Sequence, residues 1–177
     1  MPDFGEEPAV AAELVKVLTD RGKMIAVAES CTAGLVADMM ARLPGASKVL
    51  WGSFVTYTAD AKTKMLGVPK GLIDRHGAVS SPVSLAMAEG ALERSGASWA
   101  LSITGLAGPG GEGAEGSPVG TVWIGLAWWP VGKEPRAQSE AKRFLFRGSR
   151  NEVRTAAAAA ALNELLRKIL TAEEFLV

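Results

Sequence analysis

The chain of 177 residues contains only one cysteine and one histidine. A disulfide framework needs paired cysteines and a zinc site needs several cysteine or histidine ligands, so the sequence argues against both, and we expect no metal. The 19 basic and 19 acidic residues cancel. This balance leaves no basic surface for nucleic acid or for a membrane. No apolar run approaches the ~18 residues of a membrane span, and the acidic N-terminus lacks a secretory pattern, so we expect a cytoplasmic protein.

What the chain does contain is ample apolar sequence. Apolar residues make up 48% of it, enough for one core in a single domain over residues 1–177. Short apolar strands alternate with helical patterns, and most strands lack a polar face. This pattern predicts an α/β domain, a three-layer α/β/α sandwich with a mixed, mainly buried sheet. The last two strands, at 119–129 and 139–146, are predicted to form a hairpin.

The final helix, predicted over residues 152–170, contains six consecutive alanines. Alanine allows a close approach between a helix and its neighbour. The run therefore indicates a helix packed tightly against the sheet or against a second subunit.

The stretch around Ser30 combines a strand end with a helix start. The apolar run 24–28 predicts a buried strand, and a helical pattern begins at Ala33. Backbone N–H groups at the start of a helix lack internal partners and stabilise negative charge. A serine there can act as a nucleophile beside an oxyanion site. Alternatively, Ser30 or Thr32 only caps the helix, and this stretch taken alone favours the cap.

Tyr57 and Lys62 form a second candidate pair. Tyr57 ends a predicted strand, where side chains can point into a cleft beyond the sheet. Lys62 lies early in a short predicted helix, where the dipole and partial burial would lower its pKa and make it a usable base. A lysine base with a tyrosine relay would activate a serine without histidine. The alternative is a solvated surface lysine, like Lys64.

A glycine-rich loop over residues 105–118 follows a short predicted strand. Residues 108–113 formally match the dinucleotide-binding motif, but no helix opens inside the match, so the match is weak. The loop is rich in backbone N–H groups and can wrap a phosphate or a carbonyl oxygen, or it is an ordinary exposed loop. Arginines near residue 150 can bind a phosphate or mark a solvated helix start. Cys31 has no histidine to activate it and is interpreted as a small buried side chain.

Several ordered stretches together resemble the CinA C-terminal domain family, the nicotinamide-nucleotide amidohydrolases. The most specific is the run from Ala28 to Gly34 (AESCTAG). The stretches in chain order are AESCTAG, then the segment 57–62 with LGV at 66–68, then GAVS at 77–80, SITGLAGP at 102–109, PVGTV at 118–122, and GSR at 148–150 with Val153 and Arg154. They span roughly residues 8–170.

The resemblance implies hydrolysis of the carboxamide of nicotinamide mononucleotide to nicotinate mononucleotide and ammonia, with no cofactor. It implies Ser30 as the nucleophile, with Tyr57 and Lys62 as activating partners. It also implies a set of residues that contact the nucleotide, with Arg150 as a candidate for the phosphate. This set is Cys31, Thr32, Gly34, Thr104, Gly105, Ala107, Gly108 and Arg150. We further expect a homo-oligomer, a dimer or higher, and the stand-alone form of the domain.

Three positions depart from the family pattern. Ala33 replaces the first of two glycines, and Thr58 and Ala59 replace a serine and an asparagine before Lys62. Two alternatives therefore stay open, a nucleotide-binding module with weak or no amidase activity and an amidase for another small carboxamide. The oxyanion donors are predicted either at the helix start after Ser30 or in the glycine-rich loop.

Overall fold

A five-stranded mixed sheet lies between two layers of helices in the computed structural model, which describes residues 9–109, 117–130 and 136–172. The strands are β1 (Ile25–Glu29), β2 (Leu50–Val55), β3 (Trp99–Gly105), β4 (Thr121–Trp128) and β5 (Gln138–Leu145). The helices are α1 (Ala9–Asp20), α2 (Leu35–Ala41), α3 (Ala59–Leu66), α4 (Lys70–His76), α5 (Ser81–Ser95) and α6 (Arg150–Ala172). The predicted three-layer α/β fold is confirmed.

The strand order β2-β1-β3-β4-β5 places β1 between two parallel neighbours. The carboxyl ends of β1, β2 and β3 therefore meet at one edge of the sheet, where α/β proteins commonly bind ligands. The pairs β3–β4 and β4–β5 are antiparallel, and the pairing of β4 with β5 confirms the predicted pairing of the last two strands. The segments after β1, β2 and β3 carry the residues that the sequence analysis singles out.

The two faces of the sheet carry side chains of different size. Ile25 and Val27 of β1 belong to a core of bulky residues packed under α1, α2 and α6. Ala26 and Ala28, which alternate with them, belong to a second core under α3, α4 and α5. These small side chains let α5 approach this face of the sheet closely. The close approach leaves no room for a side chain at Gly125 of β4. A Cβ atom at Gly125 would lie 2.6 Å from the Oγ of Ser102.

The alanine run of α6 packs against the bulky core. Ala157, Ala158 and Ala161 are fully buried, and they lie in the same cluster as α1 and β3. The sequence predicts that the run packs against the sheet or against a second subunit, and packing within the subunit accounts for these three alanines.

Ser80 caps α5 by accepting a hydrogen bond from the N–H of Val83, with proline in the first turn, and Gly96 ends that helix. The tip of the glycine-rich loop, 110–116, and the turn at 131–135 lie outside the described residues. None of the described helices is both long and apolar enough to span a bilayer.

Candidate active site

Ser30 lies directly after the central strand β1. Its backbone N–H continues the sheet by donating to the carbonyl of Ile103 over 3.0 Å, and its side chain is almost fully buried. The chain then turns through Ala33, whose φ of 53° is left-handed, and Gly34, whose φ is 97°. This tight turn is why α2 begins at Leu35 and not at Ala33 as predicted. It also shows why glycine would suit position 33.

Glu29, not Ser30 or Thr32, satisfies the start of α2. The carboxylate of Glu29 is fully buried and accepts hydrogen bonds from the N–H groups of Gly34, Val36 and Ala37 over 2.8 to 3.2 Å. The predicted cap by Ser30 or Thr32 is therefore wrong, because a charged acceptor binds these N–H groups better than a hydroxyl does. The Ser30 hydroxyl therefore does not cap the helix. The three N–H groups are already bonded to Glu29 and cannot bind a ligand.

Lys62 reaches from α3 into the same site. Its Nζ lies 2.9 Å from the Oγ of Ser30 and donates to the carbonyl of Thr56 over 2.7 Å. The side chain is 1% exposed and forms no ion pair within the described part of the chain. Burial without a countercharge lowers the pKa of Lys62 to about 8 from its ordinary 10.5. A substantial fraction of the amine is therefore neutral near physiological pH.

The segment before Lys62 is held by Thr58. The hydroxyl of Thr58 accepts a hydrogen bond from the N–H of Ala61 and so caps α3. This cap is the local reason why α3 begins at Ala59 and presents Lys62 to Ser30. The replacement of serine by threonine at this position preserves a capping hydroxyl.

Tyr57 lines the site but forms no hydrogen bond with Ser30 or Lys62. Its side chain is 54% exposed, and its hydroxyl accepts a hydrogen bond from the guanidinium of Arg150. Arg150 also donates to the carbonyl of Gly108 over 2.6 Å. Arg150 therefore joins the segment after β2 to the glycine-rich loop.

A cavity of about 200 Å³ opens in front of the Ser30–Lys62 pair. Of the sequence-predicted site residues, nine line it: Ser30, Cys31, Tyr57, Lys62, Thr104, Gly105, Ala107, Gly108 and Arg150. Thr32 and Gly34 do not line it. Thr32 is fully buried, and Gly34 donates its N–H to Glu29.

Two of the lining residues, Cys31 and Thr104, are held in environments that make their side chains poor nucleophiles. Burial raises the pKa of the Cys31 thiol to about 11, so this thiol is protonated at neutral pH. Thr104 donates its hydroxyl hydrogen to the carbonyl of Ala78 over 2.8 Å. These features agree with the interpretation of Cys31 as a small buried side chain, and they leave the Ser30 hydroxyl as the better nucleophile.

Two residues near the site were missed or left unassigned by the sequence analysis. Glu29 has a signal that could have identified it, since an acidic residue next to a helix start favours the dipole. Arg154, one of the clustered arginines, donates to the carbonyls of Cys31 and Thr32 over 3.1 and 2.9 Å. No sequence pattern predicts that contact, because more than 120 residues separate the partners.

The family model described as CinA C-terminal domain matches residues 7–169. The chain belongs to the CinA C-terminal domain family. A "CinA-like protein" of Geobacter metallireducens is 41% identical over 167 residues, covering 94% of this chain and 38% of that protein. Another from Anaeromyxobacter sp. (strain K) is 47% identical over 163 residues, covering 92% and 38%. The chain thus spans about two fifths of the length of these curated relatives.

Solved structures of CinA proteins share the fold. The competence/damage inducible protein CihA from Agrobacterium tumefaciens is 38% identical with a TM-score of 0.83, covering 94% of this chain and 98% of that one. The competence damage-inducible protein A (ComA) from Klebsiella pneumoniae is 32% identical with a TM-score of 0.86, covering 94% and 98%.

The CinA domain described here has the parts of a serine nucleophile site without histidine. The Lys62 amine can accept the Ser30 proton because it is close, buried and partly neutral. The carbonyl of Thr56 fixes the orientation of that amine. The arrangement of a serine hydroxyl, a lysine amine and an adjacent cavity is therefore chemically suited to acyl transfer.

Proposed function

We propose that this CinA domain hydrolyses the carboxamide of nicotinamide mononucleotide, giving nicotinate mononucleotide and ammonia. The observation that carries the proposal is the contact of 2.9 Å between the Lys62 amine and the Ser30 hydroxyl. The family resemblance supplies the substrate, and the cavity beside the pair offers room for a carboxamide.

In the proposed reaction, the neutral Lys62 amine takes the proton of the Ser30 hydroxyl. The Ser30 Oγ forms a bond to the carboxamide carbon, and the carbonyl electron pair moves onto oxygen. When the carbonyl reforms, the C–N bond breaks and the Lys62 ammonium returns its proton to the leaving nitrogen, so ammonia departs. A water molecule then hydrolyses the Ser30 acyl-enzyme, with Lys62 again as the base.

Lys62 acts directly in this proposal, without a relay through Tyr57. The hydroxyl of Tyr57 is hydrogen bonded to Arg150 and forms no hydrogen bond with Ser30 or Lys62. The place we assign to Tyr57 is the cavity wall.

The oxyanion donors are proposed to come from the glycine-rich loop. Glu29 already holds the N–H groups at the start of α2, which the sequence analysis offered as the other source. Ala107 and Gly108 line the same cavity as Ser30 and Lys62, so their backbone is the candidate. One such donor contributes about 100- to 1,000-fold to the rate in comparable sites.

The test is ammonia release from nicotinamide mononucleotide by the purified domain. Ser30→Ala removes the nucleophile and is expected to abolish release, and Lys62→Met is expected to lower kcat by about 100- to 10,000-fold. Lys64→Met is the matched control, because Lys64 is exposed and pairs with Asp60 on the surface of α3. Near-normal turnover by either site variant would refute the mechanism.

The two alternatives give different results in the same assay. A binding module would bind the mononucleotide without releasing ammonia from it. An amidase for another small carboxamide would release ammonia faster from a compound lacking the nucleotide. A panel of nicotinamide, its riboside and its mononucleotide separates these three functions.

A further inference from the structure

A second cavity of about 200 Å³ lies beside the candidate active site. His76, Trp123 and Arg143 line it, together with serines near the start of α5. Val79 lines both cavities, so the two cavities are neighbours. We call the second one the His76–Arg143 cavity.

The strand register connects the two cavities across the sheet. Ser30 bonds to Ile103 at the end of β1, Thr104 lies opposite Trp123, and Trp123 lies opposite Arg143. Residues directly opposite each other in antiparallel strands share one face of the sheet. With strands ~4.8 Å apart, the backbones of Ser30 and Arg143 lie three strand spacings apart, roughly 14 Å. The Arg143 side chain lines the second cavity and extends across part of this distance, which leaves a span comparable with a mononucleotide measured from its carboxamide to its phosphate.

The His76–Arg143 cavity has the chemistry of an anion site. Neither the imidazole of His76 nor the guanidinium of Arg143 has a hydrogen-bond or ion-pair partner among residues 9–109, 117–130 and 136–172. No aspartate or glutamate from these ranges lines the cavity. An arginine fork matches two oxygens of a phosphate, and the indole of Trp123 offers an apolar wall for a sugar or ring.

Arg150, which lines the first cavity, differs from Arg143 in that its guanidinium already has hydrogen-bond partners. Its guanidinium already donates to the carbonyl of Gly108 and to the hydroxyl of Tyr57. Contact with a phosphate would require it to give up one of these bonds or share its remaining hydrogens. Arg143 has no such commitment in the described structure.

We infer that the His76–Arg143 cavity binds the phosphate of the mononucleotide while its carboxamide lies at Ser30. The inference rests on the proposed function for the identity of the ligand. It makes Arg143, with His76, the determinant of the preference for a nucleotide over a nucleoside.

Calorimetry on the Ser30→Ala background tests this inference without turnover. The probes are nicotinamide mononucleotide and nicotinamide riboside. Arg143→Gln is expected to weaken binding of the mononucleotide by on the order of 10- to 100-fold and to leave the riboside unchanged, since it removes a charge-assisted hydrogen bond to phosphate. Lys142→Gln is the matched control, because Lys142 lies on the other face of β5 and pairs with Glu164.

Three results would overturn the inference. They are an unchanged mononucleotide affinity in Arg143→Gln, an equal loss for the riboside, and a loss of the phosphate preference in Arg150→Gln alone. Failure of the proposed function looks different. In that case the wild-type protein would release no ammonia, while Ser30→Ala would still bind the mononucleotide in an Arg143-dependent way.

Discussion

The Nζ of Lys62 lies 2.9 Å from the Oγ of Ser30, although 32 positions separate the two residues in the chain. The contact is buried, and the carbonyl of Thr56 takes a second hydrogen bond from the same amine. The Thr56 carbonyl therefore holds the Lys62 amine in place, and the Ser30 hydroxyl is the group with which that amine can exchange a proton. This relationship determines how activity and stability should depend on pH.

The rate of deamidation is expected to increase with pH and then level off, with the midpoint of the transition near pH 8. Burial lowers the pKa of Lys62 to about 8, and only the neutral amine can accept the Ser30 proton. Below that midpoint the neutral fraction falls about tenfold per pH unit, so log kcat/KM should rise with a slope near one and then level. Steady-state rates on nicotinamide mononucleotide from pH 6 to 10 measure the profile. Lys64→Met should leave it unchanged, and a flat profile would contradict a lysine base.

Stability should rise with pH in the same protein. The unfolded chain holds the Lys62 proton up to its ordinary pKa of 10.5, whereas the folded chain releases it near pH 8. Between these values the unfolded state binds more protons, so the free energy of unfolding increases with pH, by about 3 kcal/mol in all. Below pH 8 both states are protonated and this contribution is constant.

Lys62→Met isolates that contribution because methionine fills a similar buried volume without a charge. The difference in unfolding free energy, wild type minus Lys62→Met, should increase from pH 8 to 10.5. Urea denaturation of both proteins at several pH values measures it. A difference that stays constant across this range would mean that Lys62 has the same pKa in the folded and the unfolded state.

Much of the site follows from the sequence because local patterns position its parts. Ser30 and Lys62 each follow a strand of the parallel pair β1 and β2, and parallel strands end at one edge of the sheet. The short helix predicted around Lys62 is present as α3, and its cap at Thr58 is local to the same segment. Segments of this kind are predictable since each depends on a few neighbouring residues.

What escapes the sequence are contacts between distant side chains. The hydroxyl of Tyr57 meets Arg150, which lies 93 positions further along, and no periodicity indicates that pairing. Glu29 interrupts an apolar run and is interpreted from the sequence only as the end of a strand. Its role becomes visible once the carboxylate is seen to accept three backbone N–H groups.

Ala33→Gly is expected to stabilise the domain by about 0.5 to 1 kcal/mol. Ala33 is the described non-glycine residue with a left-handed φ, and that conformation costs an L-residue about 1 to 2 kcal/mol. Glycine avoids this strain and loses part of the gain to greater freedom in the unfolded chain. Ala37→Gly is the matched control within α2, where the helical backbone should make glycine destabilising by about 1 kcal/mol. Thermal unfolding of the two variants should shift in opposite directions, and a shift in the same direction would contradict the strain.

Glu29→Gln is expected to destabilise the domain by about 2 to 4 kcal/mol. The buried carboxylate accepts from the N–H groups that begin α2 and from the hydroxyl of Ser53, and glutamine has one acceptor oxygen fewer. At least one buried N–H would then face an amide nitrogen that cannot accept its hydrogen. Urea denaturation measures the loss. The control is Glu13→Gln on the exposed face of α1, which should change the free energy of unfolding by no more than about 0.5 kcal/mol.

The same substitution should lower kcat, because Glu29 positions Ser30 through the backbone that joins them. Below its unfolding transition the Glu29→Gln protein should keep the pH midpoint that Lys62 sets, since the amine and its burial are untouched. A lower kcat with an unchanged midpoint would identify Glu29 as a positioning residue. A midpoint that moves with the substitution would instead show that the carboxylate acts on the Lys62 charge, and full activity would show that the turn holds Ser30 without it.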